Sequence, residues 1–274
     1  MASKIFMGDM PELIEIILNN LNNEFHSLHS CALVSRHWCK MSIPILWQDP
    51  FSIRRNSLFI SQYFSSLDEN EKFGLKECGI NVKFSKTVFN YAKFLKIFHL
   101  SSIKTNVKNW IDFQLANSKP HQSSINRIIN LLFKLFVESG ATLHKLDLYS
   151  SDFGINPEIF YSLGENKLFF SQLQDLKLRL NTDNVTTLLK ILAKNATKIS
   201  ALECCVLRSD YEPQLHHALV CFIKSQEQLR QFSLVGGDDE DEYPTHIGVF
   251  GFRVTKLYYS TPKFIRSRTD HALF

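Results

Sequence analysis

No apolar run in this chain approaches the roughly 18 residues that a membrane-spanning helix requires, and the first residues hold one lysine before turning polar, so neither a span nor a signal peptide is expected. There is no CxxC pair. The six cysteines, at 31, 39, 78, 204, 205 and 221, follow no regular spacing and read as reduced thiols of a cytoplasmic or nuclear protein. With only 10 glycines and 8 prolines in 274 residues, fibrous and low-complexity classes are excluded. Gly248-Val249-Phe250-Gly251 lacks the further glycine and the following Lys-Ser or Lys-Thr of a phosphate loop. Neither sign of charge dominates: 31 basic against 27 acidic residues leave a net +4. Residues 1–50 hold three Lys or Arg against five Asp or Glu, so the positive excess belongs to the rest of the chain, where it is spread out with no basic cluster interleaved with aromatics. That distribution argues against nucleic-acid binding.

Catalytic constellations are lacking as well. His26 and His29 lie three apart and His216 and His217 are adjacent, but no cysteine or carboxylate pattern completes a metal site around either pair. Cys204-Cys205 falls in an expected strand, where alternation sends one side chain to the core and the other to the opposite face, with no basic group in the pattern to activate a thiol. No nucleophile–base pair is legible. The expectation is a protein that catalyses nothing and holds neither metal nor cofactor. What the chain does have is 45% hydrophobic residues, ample for a sizeable core, and two regions of different pattern.

The first region is residues 10–47. Pro11 suits the first turn of a helix, where its missing N–H has no partner to lose, and Asp9 can cap that helix. Leu13, Ile14, Ile17, Leu18 and Leu21 recur at intervals of three and four and form one stripe, until Asn22-Asn23 stops it. A second amphipathic helix of about a dozen residues is expected from Ser27 or Leu28, carrying Leu28, Cys31, Ala32, Val34, Ser35 and Trp38, with Pro44 separating a third short piece that ends in Trp47. Two or three short helices cannot hide this many apolar side chains by themselves, and the surplus is what a helix-in-groove partner needs.

The series Met10-Pro11-Glu12-Leu13-Ile14, Ile17-Leu18, Leu21, Cys31-Ala32-Leu33-Val34-Ser35-Arg36-His37-Trp38 and Pro44-Ile45-Leu46-Trp47 resembles an F-box. It departs from the common pattern in opening on Met10 where Leu is usual, in a spacing after Pro11 shorter by about one residue, and in Ser35 where many members carry Cys. The resemblance implies a Skp-type adaptor bound through Met10, Pro11, Leu13, Ile14, Ile17, Leu18, Val34 and Trp38, and through it a cullin–RING core; Leu21, Cys31 and Leu46 would hold the three helices together.

The second region is repetitive. Leu143-His-Lys-Leu146-Asp-Leu148, Leu173-Gln-Asp-Leu176-Lys-Leu178, Ile199-Ser-Ala-Leu202-Glu-Cys204 and Leu229-Arg-Gln-Phe232-Ser-Leu234 share one pattern, with starts 30, 26 and 30 residues apart and a weaker copy at Leu95-Lys-Ile-Phe98-His-Leu100. Amphipathic stretches at 125–137, 185–193 and 215–223 lie between them, the middle one capped by Asp183 or Asn184. Residues 58–67 read as a helix, and 82–94 as a further strand and helix. The spacing resembles degenerate leucine-rich repeats, most copies lacking the Asn that often closes the strand turn, although Asn181 comes close.

The fold class expected is therefore α/β: a three-helix F-box over 1–50, a linker or irregular capping repeat over 51–94, an irregular leucine-rich-repeat solenoid over 95–260 with a parallel sheet on its concave face, and a tail over 261–274. The repeat pattern fades after Leu234, and no amphipathic capping helix is legible beyond it. The run Asp238-Asp239-Glu240-Asp241-Glu242 reads as a solvated loop between the last repeats, with a docking site for a basic client segment as the sharper alternative. By resemblance the chain is a substrate-recognition subunit of an SCF-type ubiquitin ligase. Its unknown client protein would lie on the concave positions His99, Asp147, Tyr149, Asp175, Lys177, Arg179 and Glu203, whose mixed signs suit a polar or charged epitope. The alternative is a repeat scaffold that binds an adaptor without directing ubiquitin transfer.

Overall fold

In a computed structural model, the described residues are 10–22, 24–52, 57–115, 121–149, 168–180, 184–207, 213–237 and 245–251. They form a mixed α/β protein. Three helices come first: α1 (Pro11–Asn20), α2 (Phe25–Ala32) and α3 (Arg36–Leu46). Pro11 occupies the first turn of α1. Asp9, the expected cap, lies outside the described residues, and Met10 holds the N-cap position without a side-chain bond. The second expected helix is in fact two. The chain turns at Leu33-Val34, and Ser35 caps α3 by accepting the Trp38 N–H at 3.3 Å. Pro44 does not separate a third piece; it sits in the last turn of α3, where only one backbone bond is forgone.

Ile14, Leu18, Leu28, Trp38 and Leu46 form a small core inside this helix cluster. Among the described residues, a second, larger core takes in side chains from Phe51 to Leu229. Its N-terminal part is a composite of short turns, a 3-10 turn at Ser57–Phe59, α4 (Ile60–Tyr63) and a second 3-10 turn at Phe64–Ser66, where a single longer helix was expected. Next comes α5 (Glu69–Glu77), which the sequence reading did not anticipate; it is fixed by a capping box in which the Asp68 carboxylate accepts the Glu71 N–H at 2.7 Å and Glu71 accepts the Asp68 N–H at 3.2 Å. Of the strand and helix expected over 82–94, the strand is absent: residues 82–90 are irregular and lead to a 3-10 turn at Tyr91–Phe94.

The remaining elements alternate. β1 (Ile97–His99) is followed by α6 (Leu100–Leu115) and α7 (Gln122–Glu138); β2 (Lys145–Leu148) and β3 (Asp175–Arg179) are followed by α8 (Val185–Asn195); β4 (Ala201–Leu207) is followed by α9 (Pro213–Lys224), then β5 (Gln231–Gly237) and β6 (Thr245–Gly251). Strand order in the sheet is strand order in the chain. β1 to β5 are parallel, and Phe98, Leu146, Leu176, Leu202 and Phe232 stand in one row across them. Leu148, Leu178, Cys204 and Leu234 make the next inward row. These side chains meet the apolar stripes of the helices, including Ile128, Leu132 and Phe136 of α7 and Leu188 and Leu192 of α8. β6 runs antiparallel to β5 with a register shift at Leu234/Val235, a reversal that the fading repeat pattern did not predict. The acidic run at 238–242 and the tail after 251 lie outside the described residues.

One buried polar group ties the early turns to the helices. Asn106 of α6 accepts from Ser57 Oγ at 3.2 Å and donates to the carbonyls of Phe51 and Ser102 at 3.2 and 2.9 Å, so its amide is well satisfied. On the outside, Lys134 meets Glu71 at 2.7 Å and Arg127 meets Glu77 at 2.7 Å, holding α5 across α7.

Candidate interaction surfaces

On the helix cluster the central pair of the α1 stripe, Ile14 and Leu18, is fully buried, and Trp38 at the start of α3 is buried beside them. These three were expected on a partner-facing surface; the structure places them inside instead, because residues four apart at the middle of the stripe point straight at the neighbouring helices. Leu13 and Ile17, on the flank of the stripe, are half-buried, and Met10 and Pro11 are exposed. Leu46 is buried as expected of a residue holding the helices together, while Leu21 and Cys31 are half-buried against the small core.

Two residues that the sequence reading left out dominate the surface: Ile16 is 58% exposed and Leu33 is 75% exposed. With Met10 and Val34 they make four of the nine large apolar side chains exposed among the described residues. Ile16 lies off the buried stripe, next to Leu13 around the helix, and Leu33-Val34 form the turn that breaks the expected second helix. The signal for Leu33 was present in the apolar pair preceding the capping serine, but it was absorbed into a helix that does not exist.

On the sheet, the side opposite the core carries the polar positions. His99, Asp147, Lys177, Glu203 and Ser233 stand in register in one row across β1 to β5. Ile97, Lys145, Asp175, Ala201 and Gln231 form the row before it. Arg179 pairs in register with Cys205, and Tyr149 follows directly after β2. All seven positions expected on one face are thus together, and Lys145, Gln231 and Ser233 join them.

The charges on this face are largely engaged with one another. Lys177 Nζ lies 2.6 Å from Glu203 Oε2. His99 Nδ1 lies 3.2 Å from Asp147 Oδ2, a contact that is ionic only with the imidazole protonated and that lacks hydrogen-bond alignment. Asp147, 7% exposed, also accepts the Tyr149 N–H at 3.0 Å. The Tyr149 hydroxyl is pushed up to about 12 by burial, then by its hydrogen bond with Cys205 and the nearby Cys205 and Glu203, so it stays neutral at any physiological pH. Cys204 points into the core, where burial raises its thiol far above the ordinary range, and Cys205 faces the polar side.

At the first edge of the sheet, Asp49 belongs to the same face. Burial raises its carboxyl above the ordinary value, against the opposing pull of a Ser52 hydrogen bond and of the charges on His99 and Lys145, and its Oδ1 is enclosed without a hydrogen-bond partner. Sequence reading missed this residue because it follows the last helix of the cluster, far from any repeat motif.

Among the described residues no group of three or more His, Cys, Asp or Glu is placed to hold a metal ion, and no described helix is long and apolar enough to cross a membrane. His26 and His29 pack their rings near Phe25, with centroids 5.6 and 5.8 Å away. His217 Nε2 lies 3.5 Å from Cys221 Sγ one turn along α9. Comparisons with protein-family models, with curated proteins and with solved structures find no match to this chain.

Proposed function

We propose that the chain is an F-box protein with irregular leucine-rich repeats, acting as a substrate-recognition subunit of an SCF-type ubiquitin ligase. Its helix cluster would bind a Skp-type adaptor and its sheet face a client protein. The observation that carries this reading is the pairing of two surfaces of opposite chemistry: an apolar surplus of Met10, Ile16, Leu33 and Val34 on a cluster with its own small core, and a polar face of in-register side chains on a sequentially ordered parallel sheet. The first suits a helix-in-groove contact; the second suits a hydrated, charge-matched one. In this role the chain supplies proximity. It holds a client lysine near the charged conjugating enzyme and raises its effective concentration, with no chemical step on its own residues.

On this reading the adaptor-facing set becomes Met10, Pro11, Leu13, Ile16, Ile17, Leu33 and Val34, with Ile14, Leu18 and Trp38 as the core beneath it. The client-facing set is Asp49, His99, Lys145, Tyr149, Asp175, Lys177, Arg179, Glu203 and Gln231, with Asp147 buried beneath it. The test is a pull-down of the purified chain with a Skp-type adaptor and a cullin, comparing wild type with an Ile16→Glu, Leu33→Glu double variant. Capture of both partners by the wild type, lost in a variant that keeps its circular-dichroism spectrum, is the expected result. Capture of the adaptor without the cullin would favour a scaffold, and no capture by folded wild type would remove the ligase reading.

A further inference from the structure

The backbone carries a rung pattern at the entrance of each of the strands β2 to β5. The Lys96 carbonyl accepts the N–H groups of both His144 and Lys145, at 2.8 and 3.1 Å; His144 does the same for Gln174 and Asp175 at 2.9 and 3.1 Å; Gln174 for Ser200 and Ala201 at 2.9 and 3.0 Å; and Ser200 for Arg230 and Gln231 at 2.9 and 2.9 Å. One carbonyl serving two successive amides of the next unit marks where each repeat meets its neighbour.

The pattern has one more member, and it lies outside the sheet. The Gln48 carbonyl accepts the N–H groups of Lys96 and Ile97 at 2.9 and 3.1 Å. Gln48 comes two residues after α3 ends and so belongs to the helix cluster's own chain. The residues after it keep the alternation of a strand: Asp49 lies on the polar side near His99 and Lys145, and Pro50 is buried, as Phe98 and Leu146 are at the matching positions of β1 and β2. Pro50 has no N–H to continue the ladder, so pairing stops after one rung. Just upstream, Trp47 is packed against both cores: it stacks on Tyr91 with ring centroids 4.0 Å apart and meets Tyr63 edge-on at 5.3 Å.

We infer that residues 47–50 are a zeroth repeat that clamps the helix cluster to the first edge of the sheet, so that cluster and sheet move as one body and the polar face begins at Asp49. The clamp itself needs only the rung and the Trp47 stack. Its consequence rests on the ligase reading: with adaptor and client on opposite sides of a rigid joint, the reach to a client lysine is set by this chain, and Trp47 is a positioning residue.

Native-state hydrogen exchange on the full chain tests the clamp without any partner. The Lys96 and Ile97 amides, whose acceptor is Gln48, should be protected to the same degree as those of His144 and Lys145. Trp47→Ala should speed exchange at Lys96 and Ile97 by on the order of tenfold or more while leaving His144 and Lys145 unchanged. Should that variant lose its fold, Tyr91→Leu removes the stack from the sheet side and carries the same expectation. Small-angle scattering, which a merely local packing defect would not move, should show the maximum dimension widening in whichever variant remains folded. Fast exchange at Lys96 and Ile97 in the wild type, or exchange and scattering unaltered in both variants, overturns the clamp. Failure of the adaptor pull-down with these amides protected would instead overturn the ligase reading and leave the clamp standing.

Discussion

The helix cluster and the sheet unit obey one rule and arrive at opposite surfaces. Among the described residues the cluster encloses five apolar side chains and the sheet unit forty-five. A unit as small as the cluster has too little interior for its own apolar content, so Ile16 and Leu33 remain outside, whereas the sheet unit encloses Phe98, Trp110, Phe133 and Phe136 completely, leaves Phe73 and Phe113 exposed on its helices, and gives the open face of its sheet to paired charges. On the proposed reading the smaller region would make contact through what it cannot bury, and the larger through the polar face of its sheet.

The sharpest way to break this contrast is to empty the larger core. Phe136 is fully buried on α7, with its ring edge-on to Phe51, Tyr63 and Phe98. Phe136→Ala should cost about 3–5 kcal/mol, read as a lowered urea midpoint by circular dichroism. A loss below about 1 kcal/mol would mean that the core is not continuous through α7. Leu18→Ala in the cluster should cost about 2–4 kcal/mol, bounded by whatever stability the cluster has beyond the sheet. With the Gln48 clamp intact, Trp fluorescence and far-ultraviolet circular dichroism should lose structure in one transition; two separated transitions would show the cluster melting alone.

The same residue type one layer out should behave in the opposite way. Leu33→Ala should change stability by no more than about 0.5 kcal/mol, yet weaken capture of a Skp-type adaptor. A large stability loss would show that Leu33 is packed rather than presented. On the sheet face, Lys177→Ala breaks a part-exposed pair with Glu203 and should cost at most about 1 kcal/mol, shrinking as salt is raised. A larger, salt-independent loss would mark the pair as structural and take it out of the client-facing set.

How much of this was legible depended on whether a local pattern had a competitor. All five strand motifs from Leu95 to Leu234 became parallel strands in order, and the stretches at 125–137, 185–193 and 215–223 became α7, α8 and α9, because strand and helix periods are hard to confuse over that length. The cluster was less legible. Ser35 is a capping residue, but the apolar positions on either side of it continue one helical period, and the period was followed across the break. It was the resemblance that assigned Ile14, Leu18 and Trp38 to a partner-facing surface, and neither a motif nor an apolar stripe shows which part of the face meets a neighbouring helix. Of the two expected caps of α8, Asp183 lies outside the described residues, and Asn184 holds the N-cap position in a left-handed backbone conformation with no side-chain bond. The antiparallel β6 and the rung at Gln48 depend on backbone pairing between distant segments, for which side-chain pattern carries almost no signal.

The smallest predicted effect bears on the boundary between the two regions. Burial holds the Asp49 carboxyl above its ordinary range, so the folded chain binds that proton more tightly than the unfolded one. Below the ordinary pKa, near about 4, both states are protonated and the residue costs nothing; as pH rises through the raised value, the enclosed carboxylate becomes a penalty that persists to neutral pH. Asp49→Asn should therefore melt slightly higher than wild type at pH 7, with the gap closing as pH falls through the carboxylate range in a calorimetric series. The opposite order at pH 7 would show that attraction from His99 and Lys145 outweighs burial. Asp49 would then act as an electrostatic tie between cluster and sheet, and the joint would loosen as the carboxylate is protonated.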